Sequence, residues 1–480
     1  MKFKSLILLS SCSFVFSFAD LSASRSGITD FDEPIGIIGS GPAGANAARK
    51  LTDAGFRNIT ILEAQDHVGG KCFSYPAPSG EQYDLGAVQT ASDYDIVNGL
   101  VTRYGLHQIP ASPGVYIDQN GPHPSLPSQY SYARRLLAFT TYALYGTWHA
   151  SGTASYRNVG ADSVLRQDLE SYLSTYTLEP MKEFLNVALR IYGYGAYNTT
   201  SLDDVLVGHA YNYITPRLVR DIMIAETPVV NWFQPLITSR PPLMSIQEGY
   251  QELIVRMTSD VNVQTNKAVS KIEQSSSGLV VSCKDDSQYH FSRVIVASPP
   301  RSIDFTTVLG VDPTSLFNKI HYNSYGTTLF RTPTDVINGI QFNLNFTGTE
   351  PGGILEKYPT TNLYTSYAYK PASADPSVVD QPLQDFVHDQ FSSTAEIVGQ
   401  NYTDYYPRPS VSQAPSYYST IESLQGTNGV YFTGSHLSFE NVEQAMRHAS
   451  EVVDQYFLGV TPAPTLTQRA WNATLGRFFS

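Results

Sequence analysis

The sequence predicts an α/β fold, with a Rossmann-like domain split between the two ends of the chain and a mixed α+β domain set between its parts. Three observations carry that expectation: a strand-turn-helix-strand pattern near the start, a second strand-glycine-helix pattern near the end, and a long middle region where helical periodicity gives way to alternation. At 480 residues the chain can bury a large core. With 15% of its residues charged and 42% hydrophobic, it reads as globular and loop-rich rather than disordered.

The chain opens on Met1-Lys2-Phe3-Lys4, an apolar stretch from Leu6 to Phe18, and a small-x-small sequence at Ser17-Phe18-Ala19. Positive, then apolar, then small is the order of a cleaved secretory signal, so residues 1–19 are expected to be removed and the protein secreted. The alternative is a membrane anchor, but the apolar stretch falls short of the ~20 residues a spanning helix needs. No later stretch is long and apolar enough, so no membrane partner is expected after cleavage. Five sequons fit the secretory route, at Asn58, Asn198, Asn345, Asn401 and Asn472. Asn58 precedes what reads as a buried strand, where a glycan would not fit. Cys12 lies in the signal, and the remaining Cys72 and Cys283 read as buried free thiols rather than a disulfide. No Cys/His cluster has metal-ligand spacing, so no metal is expected. A formal net charge of -12 offers no basic field to a phosphate backbone, which argues against nucleic acid as a partner.

After a polar linker, Pro34-Ile35-Gly36-Ile37-Ile38-Gly39 reads as a short buried strand entering a glycine turn. Ala43, Ala47, Ala48 and Leu51 then recur at helical spacing up to Gly55, and Ile59-Thr60-Ile61-Leu62 is the next strand, ending at Glu63. This is the minimal dinucleotide-binding element. Helical segments follow at Leu165 to Leu173 and Met181 to Ile191, broken by Tyr192-Gly193-Tyr194-Gly195-Ala196-Tyr197. Alternation returns at Val261 to Val269, Leu279 to Cys283 and Arg293 to Ala297, closed by Pro299-Pro300. The region from Ile320 to Ile421 is Tyr- and Pro-rich and reads as strands with long loops. Gly429-Val430-Tyr431-Phe432-Thr433-Gly434 is a further strand into a glycine, before a helix around Val442 to Phe457. The expected partition is therefore a nucleotide-binding domain from residues 34–110, 245–300 and 426–460, and a substrate domain from a helical part, 111–244, and a strand part, 301–425. A tail spans 461–480.

Gly39-Ser40-Gly41-Pro42-Ala43-Gly44 carries the first chemistry. Gly39 permits the tight turn, Gly41 lets backbone N–H groups approach a pyrophosphate, and Gly44 allows the helix, with Ala43 in its first turn, to pack closely on the strand. Glu63, about 20 residues on, can accept both hydroxyls of an adenosine ribose and would repel a 2′-phosphate, which favours FAD or NAD over NADP.

The run that follows, Glu63 to Gly69-Gly70-Lys71, is where the chain resembles the flavin-containing amine oxidase superfamily, and the resemblance implies FAD as cofactor. Gly70 allows close backbone approach and Lys71 supplies a cation for the pyrophosphate. Further likenesses recur along the chain. Tyr83-Asp84-Leu85-Gly86-Ala87-Val88 resembles the segment beside the flavin ring, which places Gly86, Ala87 and Val88 there with Gly86 giving room for the ring. Ser245 to Leu253 is similar to the helix entry preceding the adenine strand, where Val269 reads adenine through its backbone. Gly434-Ser435 through Asn441-Val442-Glu443 resembles the last flavin motif: a glycine turn at the pyrophosphate, then a helix starting at Val442 whose positive end stabilises charge at N1–O2 of the flavin. Within the superfamily the signal peptide, the Gly-Gly-Lys variant and Thr433-Gly434-Ser435 are most similar to the secreted flavin enzymes of secondary metabolism, the beta-cyclopiazonate dehydrogenase type.

There are departures. Many amine oxidases carry a lysine soon after the Pro-Pro, and Arg301-Ser302-Ile303-Asp304-Phe305 offers none. Asn441 falls near the position of an aromatic cage residue. Candidate substrate contacts are Tyr192, Tyr194 and Tyr197, since rings between glycines can line a flat apolar pocket; packing in the core is the equal alternative. His436 is the best-placed titratable side chain, either as acid or base or as a ribose or phosphate contact. Three functions follow: an FAD oxidoreductase taking a hydride from a C–H or C–N bond of a small apolar molecule, with oxygen or another electron acceptor; an amine or amino-acid oxidase releasing peroxide; and a flavin-fold binding protein without redox chemistry.

Overall fold

The computed structural model describes residues 30–149, 169–195 and 243–460, apart from residues 93, 113, 125, 311, 312, 347 and 411. The N-terminal stretch that reads as a signal, Tyr197, Asn198, Asn472 and the tail beyond 460 lie outside the described residues.

The two ends of the chain meet in one parallel sheet. Its strands are β1 (Ile35–Ile38), β2 (Ile59–Leu62), β3 (Asn262–Gln264), β4 (Arg293–Val296) and β5 (Val430–Phe432), in the order β3-β2-β1-β4-β5. Every neighbouring pair is parallel. Such strands must be apolar on both faces, because elements cover both. Ile35, Ile37, Ile61, Ile295 and Tyr431 pack into one core, and Ile38, Leu62, Val294, Val296 and Phe432 into the other. Helix α1 (Pro42–Asp53) follows β1 and helix α2 (Val442–Val453) follows β5. Asn46 joins them, donating its amide to Met446 O at 2.6 Å and Ser450 Oγ at 2.8 Å.

A three-stranded antiparallel sheet, Val269–Ser275, Gly278–Cys283 and Gln288–Phe291, precedes β4. The second large unit is a seven-stranded sheet ordered Glu396–Pro409, Ile320–Arg331, Leu363–Tyr369, Gly353–Leu355, Ile340–Asn343, Gly114–Asp118 and Gly121–His123. It is antiparallel except where Ile340–Asn343 runs parallel to Gly114–Asp118. The segment read as helical thus contributes strands, alongside helices Tyr132–His149, Leu169–Thr175 and Glu179–Ile191. The segment read as strands also holds helices Asp380–Phe391 and Ala414–Leu424, the latter burying Tyr417, Tyr418, Ile421 and Leu424 at helical spacing.

The sheet is pinned to the nucleotide-binding unit by a buried ion pair. Lys357 Nζ lies 2.8 Å from Asp84 Oδ2 and donates to Gln82 O at 2.7 Å, while Asp84 Oδ1 accepts from Ser74 Oγ and the Tyr250 N–H. Cys72 and Cys283 are buried free thiols. Asn58 is exposed, contrary to the expectation of an enclosed site, because it precedes rather than enters β2. Asn401 instead lies in a strand with its amide committed to Leu85 O. Among the described residues no helix is long and apolar enough to cross a membrane.

Candidate active site

The glycine turns converge at the C-terminal edge of the parallel sheet, the place where open α/β sheets take ligands. Gly39 leaves β1 at φ +98, a left-handed conformation that favours glycine. A Cβ on Gly44 would stand 1.9 Å from Gly39 O, so the helix can approach the turn only without a side chain; Ala43 beside it is buried. Gly41 and Gly70 face one another, a Cβ on Gly70 falling 3.0 Å from the Gly41 Cα. Gly434, at φ +116, comes up beside Ala297 O at the end of β4, and Ser435 begins the short helical turn that follows.

Helix α1 starts at Gly41 with no side-chain cap and no acidic residue in its first turn. Its N–H groups and dipole are left for an anion, which is what a pyrophosphate supplies. Glu63 ends β2 with its carboxylate held over the same turn: Oε2 accepts from Ser40 N at 2.7 Å and Ser40 Oγ at 2.6 Å, and Oε1 from Gln65 N at 2.8 Å. Lys267 N donates to Glu63 O, which brings the strand beginning at Val269 close to this carboxylate. These residues fit the adenosine and pyrophosphate half of FAD.

Beyond the turns the chain departs from simple expectation. Lys71, read as a cation for the pyrophosphate, places Nζ 3.0 Å from both oxygens of the nearly buried Glu440 and 5.3 Å over the Tyr405 ring. Gly86, read as room for the flavin ring, has another reason: a Cβ there would stand 1.9 Å from the Lys71 carbonyl, to which Ala87 N donates at 3.2 Å. The glycine makes space for the chain's own backbone. Val88 packs with Ile340 and Leu355 of the second sheet, so the segment from Gly86 to Val88 does lie between the two units.

Val442 opens α2, and Asn441 caps that helix, its Oδ1 accepting from Gln444 N at 2.8 Å. Asn441 stands where a cage residue was expected because the helix needs a cap there. His436 is buried, and its Nε2 has no hydrogen-bond partner among the described residues. Burial, with Lys71 nearby, lowers its pKa to about 3. The imidazole is neutral at physiological pH, which leaves it to act through hydrogen bonds or as a base and, of the readings made for it, disfavours only that of a charged acid.

The aromatic turn is brought to the same place. Tyr192 donates its hydroxyl to Gln89 Oε1 at 2.8 Å, one residue past Val88. Tyr194 is buried, donates to Glu440 O at 2.7 Å, and packs with Tyr405, Tyr406 and Phe439 at ring separations of 5.8, 5.1 and 4.6 Å. Its ring is packed into the core of the turn, whereas Tyr192 is only partly buried. Two further groups escaped the sequence reading. Thr327 pairs in the sheet with Asn401 on one side and Tyr367 on the other, and the Thr327 and Tyr367 hydroxyls have no partner among the described residues. Glu440 had a signal, being the acid inside the Gly434-to-Val442 motif; Thr327 and Tyr367 had none.

Residues 42–455 match the model of a family described as flavin-containing amine oxidoreductase. An L-amino-acid oxidase of Siganus canaliculatus is 22% identical over 307 residues, 60% of this chain and 54% of that protein. A pseudooxynicotine dehydrogenase of Pseudomonas sp. is 24% identical over 276 residues, 55% and 51% of the two chains. The matches thus span about half the length of these curated relatives. Among solved structures, a conjugated-linoleic-acid-producing fatty acid isomerase of P. acnes superposes with a TM-score of 0.74 at 18% identity, covering 90% of this chain and 100% of its own; that likeness is one of fold.

Proposed function

The chain belongs to the flavin-containing amine oxidoreductase family, whose members are FAD-dependent oxidoreductases, and from that premise we propose a secreted enzyme that takes a hydride from an activated C–H or C–N bond of a small, largely apolar organic molecule. FAD, held at this site, would supply the hydride acceptor, with oxygen or another acceptor as the final oxidant. In this reading Glu63 accepts the ribose hydroxyls, the start of α1 with Gly41 and Gly70 receives the pyrophosphate, and the positive end of α2 at Val442 stabilises charge developing on the ring. Tyr192, Thr327 and Tyr367 orient the substrate, while Tyr194, Tyr406 and Phe439 keep water out.

The observation that supports this best is the convergence of glycine turns from both chain ends, with Glu63 and an uncapped helix, at one sheet edge. The test is to express the full chain in a secreting host, read the N-terminus of the product, and weigh the yellow compound it releases. The expected result is a chain beginning after Ala19 and a compound with the mass of FAD. A colourless product, or one retaining residues 1–19, would overturn the corresponding part.

A second reading, an amine or amino-acid oxidase releasing hydrogen peroxide, is favoured by the likeness to L-amino-acid oxidases. Against it, no lysine follows Pro299-Pro300, where many amine oxidases carry one; the chain there reads Arg301-Ser302-Ile303-Asp304-Phe305. Slow reoxidation by oxygen relative to an artificial acceptor is expected, in stopped-flow measurements on the reduced protein. Reoxidation as fast as by the artificial acceptor, with one peroxide per substrate, would establish the second reading.

A further inference from the structure

Among the described residues three lysine or arginine side chains are buried: Arg49, Lys357 and Arg408. Arg49 is paired with Asp53 and Asp260, and Lys357 with Asp84. Arg408 is 2% exposed and has no carboxylate partner among the described residues. Its Nη1 donates to Tyr406 O at 3.0 Å, Nη1 and Nη2 reach Asn323 Oδ1 only at 3.5 Å, and Nε has no partner. The guanidinium lies 4.7 Å from the Tyr406 ring centroid. A guanidinium cannot shed its proton, and a buried charge without a counter-charge is costly, so this position asks for an anion.

The place of Arg408 says which anion. Asn323, its weak acceptor, donates to Gly193 O at 2.7 Å, in the turn between Tyr192 and Tyr194. Tyr406, under the guanidinium, packs 5.1 Å from the Tyr194 ring and donates its N–H to Glu440. Arg408 therefore backs the aromatic wall of the candidate active site. Lys71 is already neutralised by Glu440, whereas Arg408 has no carboxylate partner among the described residues. Two coplanar guanidinium donors match the two oxygens of a carboxylate.

We infer that Arg408 binds the carboxylate of the substrate, which makes the substrate class monocarboxylic organic acids with an apolar or aromatic body. The inference deepens the proposed oxidoreductase and rests on it for the word substrate, but the binding itself is tested apart from redox chemistry. The full chain is titrated with phenylpropionate, phenylpropionamide and phenylpropylamine, reading the thermal midpoint and, separately, the flavin absorbance and flavin content. The acid is expected to bind more tightly than the amide by about tenfold or more, as a charge-assisted hydrogen bond gives. Arg408→Gln should abolish that preference and Arg408→Lys should keep part of it, flavin content being unchanged in both. A wild-type protein that binds amine or amide as well as acid overturns the assignment even where Arg408→Gln fails to fold, and so does an Arg408→Gln protein that keeps the preference. Acid binding that depends on Arg408 in a chain without flavin would uphold the anion site and overturn the oxidoreductase instead.

Discussion

The imidazole of His436 shows how one buried group ties the site to stability. Its ordinary pKa of 6.5 falls to about 3 because burial, and then the nearby Lys71, penalise the charged form. Between those values the unfolded chain takes up a proton that the folded chain refuses, so stability falls as pH drops through that window and owes nothing to this group above it. His436→Asn should flatten the dependence of the urea midpoint between pH 6 and pH 4, by at most about 1.4 kcal/mol per pH unit. An unchanged slope would mean that the ring is accessible in solution. At the same scale, Gly86→Ala forces a Cβ against the Lys71 carbonyl and should lower flavin retention sharply. Gly99→Ala is the control: its Cβ meets nothing within 4 Å, and a helix interior gains up to about 1 kcal/mol from the exchange. Equal flavin content in the two variants would show that the segment can shift at no cost.

The turn after helix Glu179–Ile191 joins three elements, since Tyr192 reaches Gln89, Gly193 accepts from Asn323, and Tyr194 reaches Glu440. Its tyrosines should therefore behave differently. Tyr192→Phe removes one hydroxyl from a partly buried ring and is expected to lower kcat/KM with flavin content unchanged. Tyr194→Ala empties a buried ring from the wall and should cost about 3–5 kcal/mol of stability. Thermal midpoints beside flavin content would separate the two, and a Tyr194→Ala protein as stable as wild type would restore that ring to the substrate. The sequence showed this turn as rings between glycines. It could not show which ring is enclosed, because Tyr405, Tyr406 and Phe439 come from far along the chain.

The whole molecule holds together across the Lys357–Asp84 pair, which crosses from the second sheet to the segment leading into Gly86. Lys357→Met leaves Asp84 charged and buried, at a cost of about 3–5 kcal/mol, and should release flavin as that segment loosens. Adding Asp84→Asn, which still accepts from Ser74 and Tyr250, should recover much of the loss; a single variant that unfolds at the wild-type urea concentration would show that the pair carries no net stability. Such long-range pairs mark the limit of the sequence. By itself it determined the unit β1-α1-β2, the acid that ends it, the glycine turn before α2 and the family likeness, since these depend on periodicity, turn chemistry and spacing within about 30 residues. The tertiary structure alone decided the order of the seven-stranded sheet, the pairing of Lys71 with Glu440, the neutrality of His436 and the burial of Arg408 with no carboxylate partner among the described residues. Each of those depends on which distant groups share a buried volume, and charge and proton affinity there are set by neighbours that no local pattern names.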